Sequence, residues 1–126
     1  MAKILVIDDD EAMRSVLRRG LETAGHSVLE AANGAEGLRL IEAGGIEVVV
    51  TDLLMPEMDG IEVIFNVRKQ YPSLKVIAIS GGGQLPPEGY LKIAQRGGAR
   101  RILMKPFKLE ELLQAVKDEL KGGTSQ

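Results

Sequence analysis

The 126 residues suffice for one domain with its own core and are too few for two of ordinary size. The 16 basic and 18 acidic residues leave a net charge of -2, which provides neither the footprint of direct nucleic-acid binding nor a polybasic membrane patch. The absence of cysteine excludes disulfides and thiolate metal centres, and no apolar run approaches bilayer-spanning length. Met-Ala-Lys leads straight into a strand-like run without a signal-peptide pattern, so a cytoplasmic setting with no membrane partner is expected.

In chain order, Lys3-Ile4-Leu5-Val6-Ile7 predicts a first strand, closed by Asp8-Asp9-Asp10. Met13, Val16, Leu17, Leu21 and Ala24 recur at helical spacing, with Asp10 suited to cap the start and Gly25 to end it. His26 to Ala31 reads as a second strand, Asn33-Gly34 as a turn, and Ala35, Leu38 and Ile41 as the inner face of a second helix stopped by Gly44-Gly45. The β-branched run Val48-Val49-Val50-Thr51-Asp52 predicts a strand buried on both faces that ends at a carboxylate. Its loop carries Pro56, and Asp59 before Gly60 suits a helix cap better than a metal ligand. Ile61, Ile64, Phe65 and Arg68 mark a third helical stripe that ends near Tyr71-Pro72.

Lys75 to Ile79 is the fourth predicted strand, closed by Ser80 and Gly81-Gly82-Gly83, and Pro86-Pro87 suits the start of a helix to about Gln95. Ile102-Leu103-Met104 is the fifth strand, closed by Lys105-Pro106-Phe107. The Lys105-Pro106 bond is expected to be cis, in a turn that aims the lysine. Leu109, Leu112, Leu113, Val116 and Leu120 form the final stripe. One domain is thus expected over residues 1–121, with a polar tail over 122–126.

Five strands alternating with five helices predict an α/β, doubly wound, flavodoxin-like parallel sheet in the order 2-1-3-4-5. In that fold ligands bind outside the carboxyl ends of the strands, where Asp8, Asp9, Asp52, Ser80 and Lys105 all stand. Carboxylates about 4 Å apart repel by roughly 4 kcal/mol per pair at an effective dielectric near 20, so a cluster of three calls for a cation. Hard oxygens without imidazole or thiolate select magnesium, or else manganese, over zinc or copper. Such a site suits phosphoryl transfer, in which positioning and charge neutralisation dominate; Lys105 would pair with the phosphate and Ser80 would hydrogen-bond to it.

The paired acids Asp8-Asp9, the stretch from Asp52 to Gly60 with its Met-Pro and Met-Asp-Gly, the Ser80-Gly81 pair and Lys105-Pro106-Phe107 resemble the receiver domain of two-component response regulators. The resemblance covers nearly the whole chain and is nearest to chemotaxis-regulator-like receivers. It implies that Asp52 accepts a phosphoryl group from a histidine kinase or histidine phosphotransfer protein. It further implies that Asp9, Asp52 and the Leu54 backbone carbonyl bind magnesium directly, with Asp8 acting through water. Ser80 would follow the phosphate and Lys105 complete its shell. Such a domain is a phosphoacceptor that assists its own phosphorylation and dephosphorylation, and is not otherwise an enzyme. Its state would switch affinity for a downstream protein partner, and a homodimer through the fourth helix, fifth strand and fifth helix is among the assemblies it allows.

Two features depart from the family pattern. Ile102 stands where an aromatic switch residue is usual, three positions before the lysine, and the loop after Ser80 is glycine-rich with two prolines. Reordering of the Gly81-to-Gly89 loop is therefore the expected switch. Two other readings compete. Asp8-x-Asp10 after a strand resembles the start of haloacid-dehalogenase-type phosphatases, although Ala12 replaces the usual threonine or valine. A constitutive interaction module without switching rests on Ile102 alone. A calcium loop is excluded by the missing glycine and closing glutamate, and Gly81 to Gly83 lack the Gly-Lys-Ser/Thr of a phosphate loop. His26 has no evident partner, and Arg100 and Arg101 read as a solvated edge.

Overall fold

The computed structural model describes residues 2–53, 60–80 and 99–121. Its strands are β1 (Lys3–Ile7), β2 (Ser27–Ala31), β3 (Val48–Asp52), β4 (Lys75–Ser80) and β5 (Ala99–Met104). All pair in parallel, in the order β2-β1-β3-β4-β5. The helices are α1 (Glu11–Thr23), α2 (Gly34–Glu42), α3 (Gly60–Gln70) and a C-terminal helix (Leu109–Leu120). The helix expected over 87–95, the Gly81-to-Gly89 loop and the polar tail lie outside the described residues, so four of the five expected helices are seen. Among the described residues, no helix is long and apolar enough to cross a membrane.

The central strands are apolar without interruption because the sheet is covered twice. Leu5, Ile7, Val49, Val76 and Ala78 face one core, with Ile41 of α2 and Val63, Ile64 and Val67 of α3. Ile4, Val6, Val48, Val50, Ile77 and Ile79 face the other, with Leu17 and Leu21 of α1 and Leu112, Ala115 and Val116 of the C-terminal helix. Successive side chains point to opposite faces, so alternate members of each run serve different cores.

Helix starts follow the expected chemistry, with one reassignment. Asp10 Oδ1 accepts from the Ala12 and Met13 N–H groups at 3.0 and 3.2 Å, capping α1. Asn33-Gly34 is not a free turn: Asn33 caps α2, its Oδ1 accepting from the Glu36 N–H at 2.8 Å, and Glu36 accepts in return from the Ala32 N–H at 2.7 Å.

Several inner faces differ from the predicted stripes. Val16 is 60% exposed, and among the side chains described in α3 the buried set is Val63, Ile64 and Val67, whereas Phe65 is 45% exposed and Arg68 is outside. Both candidate stripes of α3 contain Ile64; the buried one continues to Tyr71, which packs on the same core, and the other ends in a charge. In α2 the glycines Gly34 and Gly37 join Ile41 on the buried side, with Leu38 and Ala35 partly covered. Gly37 sits directly over Ile7, where a Cβ would strike the Ile7 Cδ1 atom.

Arg101 stands on the edge strand β5 and is exposed as expected, but its charge is paired. Its Nε donates to Glu119 Oε2 at 3.0 Å and its Nη2 lies 3.3 Å from Asp118 Oδ2, while Lys75 Nζ donates to the Glu119 carbonyl at 3.0 Å. These bonds tie the end of the C-terminal helix to β4 and β5. His26 likewise has a partner: its Nδ1 accepts from the Ala2 N–H at 3.2 Å, and burial holds the imidazole pKa below its usual value.

Candidate functional site

Strand order reverses between β1 and β3, and the residues that close these strands meet there. Carboxylate oxygens of Asp8, Asp9 and Asp52 lie within 4.8 Å of one another. Asp8 is 1% exposed, Asp52 9%, and Asp9 faces solvent. Lys105 Nζ lies 3.9 Å from Asp52 Oδ2. Ser80, 1% exposed at the end of β4, is tied to the same place because its carbonyl accepts from the Lys105 N–H at 2.7 Å. The Lys105-Pro106 bond is cis, as expected.

Asp8 shows the electrostatic state of the pocket. Burial pushes its carboxyl up from 3.8 to about 6, and the neighbouring charges of Asp52 and Asp9 push the same way. The Asp10 N–H, donating to Asp8 Oδ1 at 2.9 Å, and the positive charge of Lys105 oppose the shift without cancelling it. The second oxygen, Asp8 Oδ2, is buried with no hydrogen-bond partner, as is Ser80 Oγ. A buried carboxylate oxygen left unpaired beside two further carboxylates is an unsatisfied hard donor, and the set contains neither histidine nor thiolate. These residues fit a magnesium or manganese ion. Asp8, Asp9 and Asp52 could hold it. The Leu54 carbonyl lies outside the described residues, as do Pro56 and Asp59.

The other readings fare differently. Asp10, the acid of the phosphatase reading, is engaged as the α1 cap. Ile102 is partly buried against the core under α2 and α3. Arg14, which the sequence pattern does not single out, donates from Nη1 to the Asp8 carbonyl at 2.7 Å and from Nε to Glu30 Oε1 at 3.0 Å. A basic residue on the polar side of an amphipathic helix ordinarily faces solvent, and nothing local marks this one as different.

Comparison with known proteins identifies the class. A family model described as the response regulator receiver domain matches residues 4–117, and the chain belongs to that family of two-component systems. It is similar to the chemotaxis protein CheY of Listeria monocytogenes, with 33% identity over 122 residues, which are 96% of this chain and all of that protein. It is 35% identical over 121 residues to the sensor kinase CckA of Brucella abortus and 34% identical over 119 residues to the transcriptional regulatory protein GlrR of Escherichia coli. The chain spans only 12% and 26% of the length of those two relatives. Among solved structures, a CheY-like receiver domain protein from Methanospirillum hungatei superimposes with a TM-score of 0.90 at 30% identity, covering 97% of this chain and 95% of that one.

Proposed function

We propose that Asp52 is the phosphoacceptor of a magnesium-dependent receiver, charged by a histidine kinase or histidine phosphotransfer protein. The observation that carries this reading is the convergence of Lys105 and the Asp8 and Asp9 carboxylates on Asp52 at the strand ends. An Asp52 carboxylate oxygen attacks the phosphorus of the donor phosphohistidine, the P–O bond of an acyl phosphate forms, and the P–N electron pair leaves on the imidazole. Lys105, already beside Asp52, balances the charge of the incoming phosphoryl oxygens, and the unpartnered Ser80 hydroxyl donates to one of them. Magnesium (or manganese), when bound, would neutralise charge on the phosphoryl oxygens; Asp9, Asp52 and the Leu54 carbonyl would hold it, with Asp8 acting through water. The reaction is stoichiometric, so the domain acts as a signalling element in the cytoplasm and not as an enzyme with a separate substrate.

Phosphorylation alters affinity for a downstream protein, through reordering of residues 81–89 in place of the usual aromatic switch. Residues 1–121 form the receiver and 122–126 its tail; a homodimer through the predicted fourth helix, β5 and the C-terminal helix is one assembly that fits.

The decisive measurement is mass mapping after incubation with magnesium and a small acyl phosphate. A single phosphoryl group is expected on Asp52, lost in Asp52→Asn with the fold retained. Label on Asp8 would support the phosphatase reading instead. Partner affinity unchanged by beryllofluoride would favour the constitutive module.

A further inference from the structure

Asp8 stands one residue past the last paired position of β1, so its backbone has just left the sheet. Its N–H still reaches the Ala31 carbonyl at 3.1 Å, but its own carbonyl is taken by a side chain, the Arg14 guanidinium, at 2.7 Å. That guanidinium is held from behind. Arg14 Nε donates to Glu30 Oε1 on the edge strand, and Arg18 Nη1 holds Glu30 Oε2 at the same 3.0 Å distance. The Arg14 side chain is 14% exposed and that of Glu30 24%, so this is a partly buried bridge from β2 to the first residue of the acidic turn.

We infer that Arg14 is a positioning residue of the acidic pocket: clamped by Glu30, it fixes the Asp8 carbonyl and so the direction in which Asp8 and Asp9 offer their carboxylates to a divalent cation. The inference rests on the reading of Asp8, Asp9 and Asp52 as a cation site. Three mutually repelling carboxylates would turn apart if their backbone were free to rotate, and Asp8 and Asp9 are carried by the same short turn. A planar guanidinium suits the task because its donors diverge at fixed angles, reaching a carboxylate and a carbonyl together, which a single ammonium on a flexible stem does not reproduce. The sign of the effect is diagnostic. If the charge of Arg14 were what mattered, removing it would tighten cation binding; if positioning matters, removal weakens it.

The test is Mn2+ binding to the full chain, followed by the electron paramagnetic resonance signal of free Mn2+, alongside urea unfolding in chelator. Arg14→Lys keeps the charge and loses the fork. The double variant Arg14→Met with Glu30→Met removes both charges at once, leaving the net charge unchanged, and replacing a partly buried ion pair by apolar side chains is often neutral for stability. Both are expected to bind Mn2+ about tenfold more weakly, as for loss of an outer-sphere partner, with the double variant unfolding at the wild-type urea midpoint. Wild-type affinity in folded Arg14→Lys overturns the inference, as does an affinity loss that only tracks a fall in stability. Should the double variant not fold, Arg14→Lys decides alone. Failure of the wild-type chain to bind Mn2+ saturably is a separate result, which removes the cation reading and the positioning role with it.

Discussion

Asp8 is a buried acid whose folded-state pKa, about 6, lies above its ordinary 3.8. The folded protein therefore holds the Asp8 proton more tightly than the unfolded chain does. Its contribution to stability is fully present below about pH 4 and is lost as the pH rises through 6, so the metal-free fold is the weaker for it at neutral pH. The shift corresponds to roughly 3 kcal/mol as an upper bound. Asp8→Asn removes the titration and keeps an acceptor for the Asp10 N–H. In chelator, the variant is expected to exceed the wild type in urea-unfolding stability at pH 8, with the advantage shrinking toward pH 4. An advantage that does not vary with pH would contradict the assignment.

At the level of elements, two helical glycines make opposite predictions. A Cβ on Gly37 would meet the Ile7 side chain, which is 1% exposed and surrounded by core, so it has nowhere to move. Ala gains about 1 kcal/mol over Gly in helix propensity, but overpacking a filled core costs about 1–3 kcal/mol. Gly37→Ala is thus expected to lose about 1 kcal/mol in denaturant unfolding. A Cβ on Gly20 would come within 2.5 Å of Leu109 Cδ2, a similar clash on paper. Leu109, however, is only partly buried and borders an open groove with Val16 and Leu113, so it can swing aside. Gly20→Ala is expected to be neutral or slightly stabilising. The reverse order of the two variants would show that α2, not α1, has room to shift.

For the molecule as a whole, a metal ion held by Asp8, Asp9 and Asp52 would couple its binding to folding, because the unfolded chain does not bring these residues together. An ion that binds only the folded state stabilises it by about 2.7 kcal/mol at a hundredfold excess over its Kd. Saturating magnesium should raise the thermal midpoint of the wild type, chelation should reverse the gain, and Asp9→Asn should show little of it. An equal gain in Asp9→Asn at matched ionic strength would place the ion elsewhere.

The amino-acid sequence by itself determined the strand order and marked the residues that close the strands. Buried parallel strands are written as unbroken apolar runs, and four strands here close at or just before a polar residue: Asp8, Asp52, Ser80 and, after Met104, Lys105. What it left undecided were choices that local periodicity allows twice. A stripe through Val63, Ile64 and Val67 and one through Ile64, Phe65 and Arg68 are both helical, and only docking onto the sheet buried the first. Val16 matches its helical stripe yet remains exposed, because it borders the open groove between α1 and the C-terminal helix with Leu109 and Leu113, while Leu17 and Leu21 are covered. The charged groups were the least legible. Arg101 finds Asp118 and Glu119, and Arg14 finds Glu30 and the Asp8 carbonyl, across 16 or more residues except for the last. A long flexible side chain carries no mark of its partner in its own neighbourhood, so only the packing of helix on strand decided which charges meet.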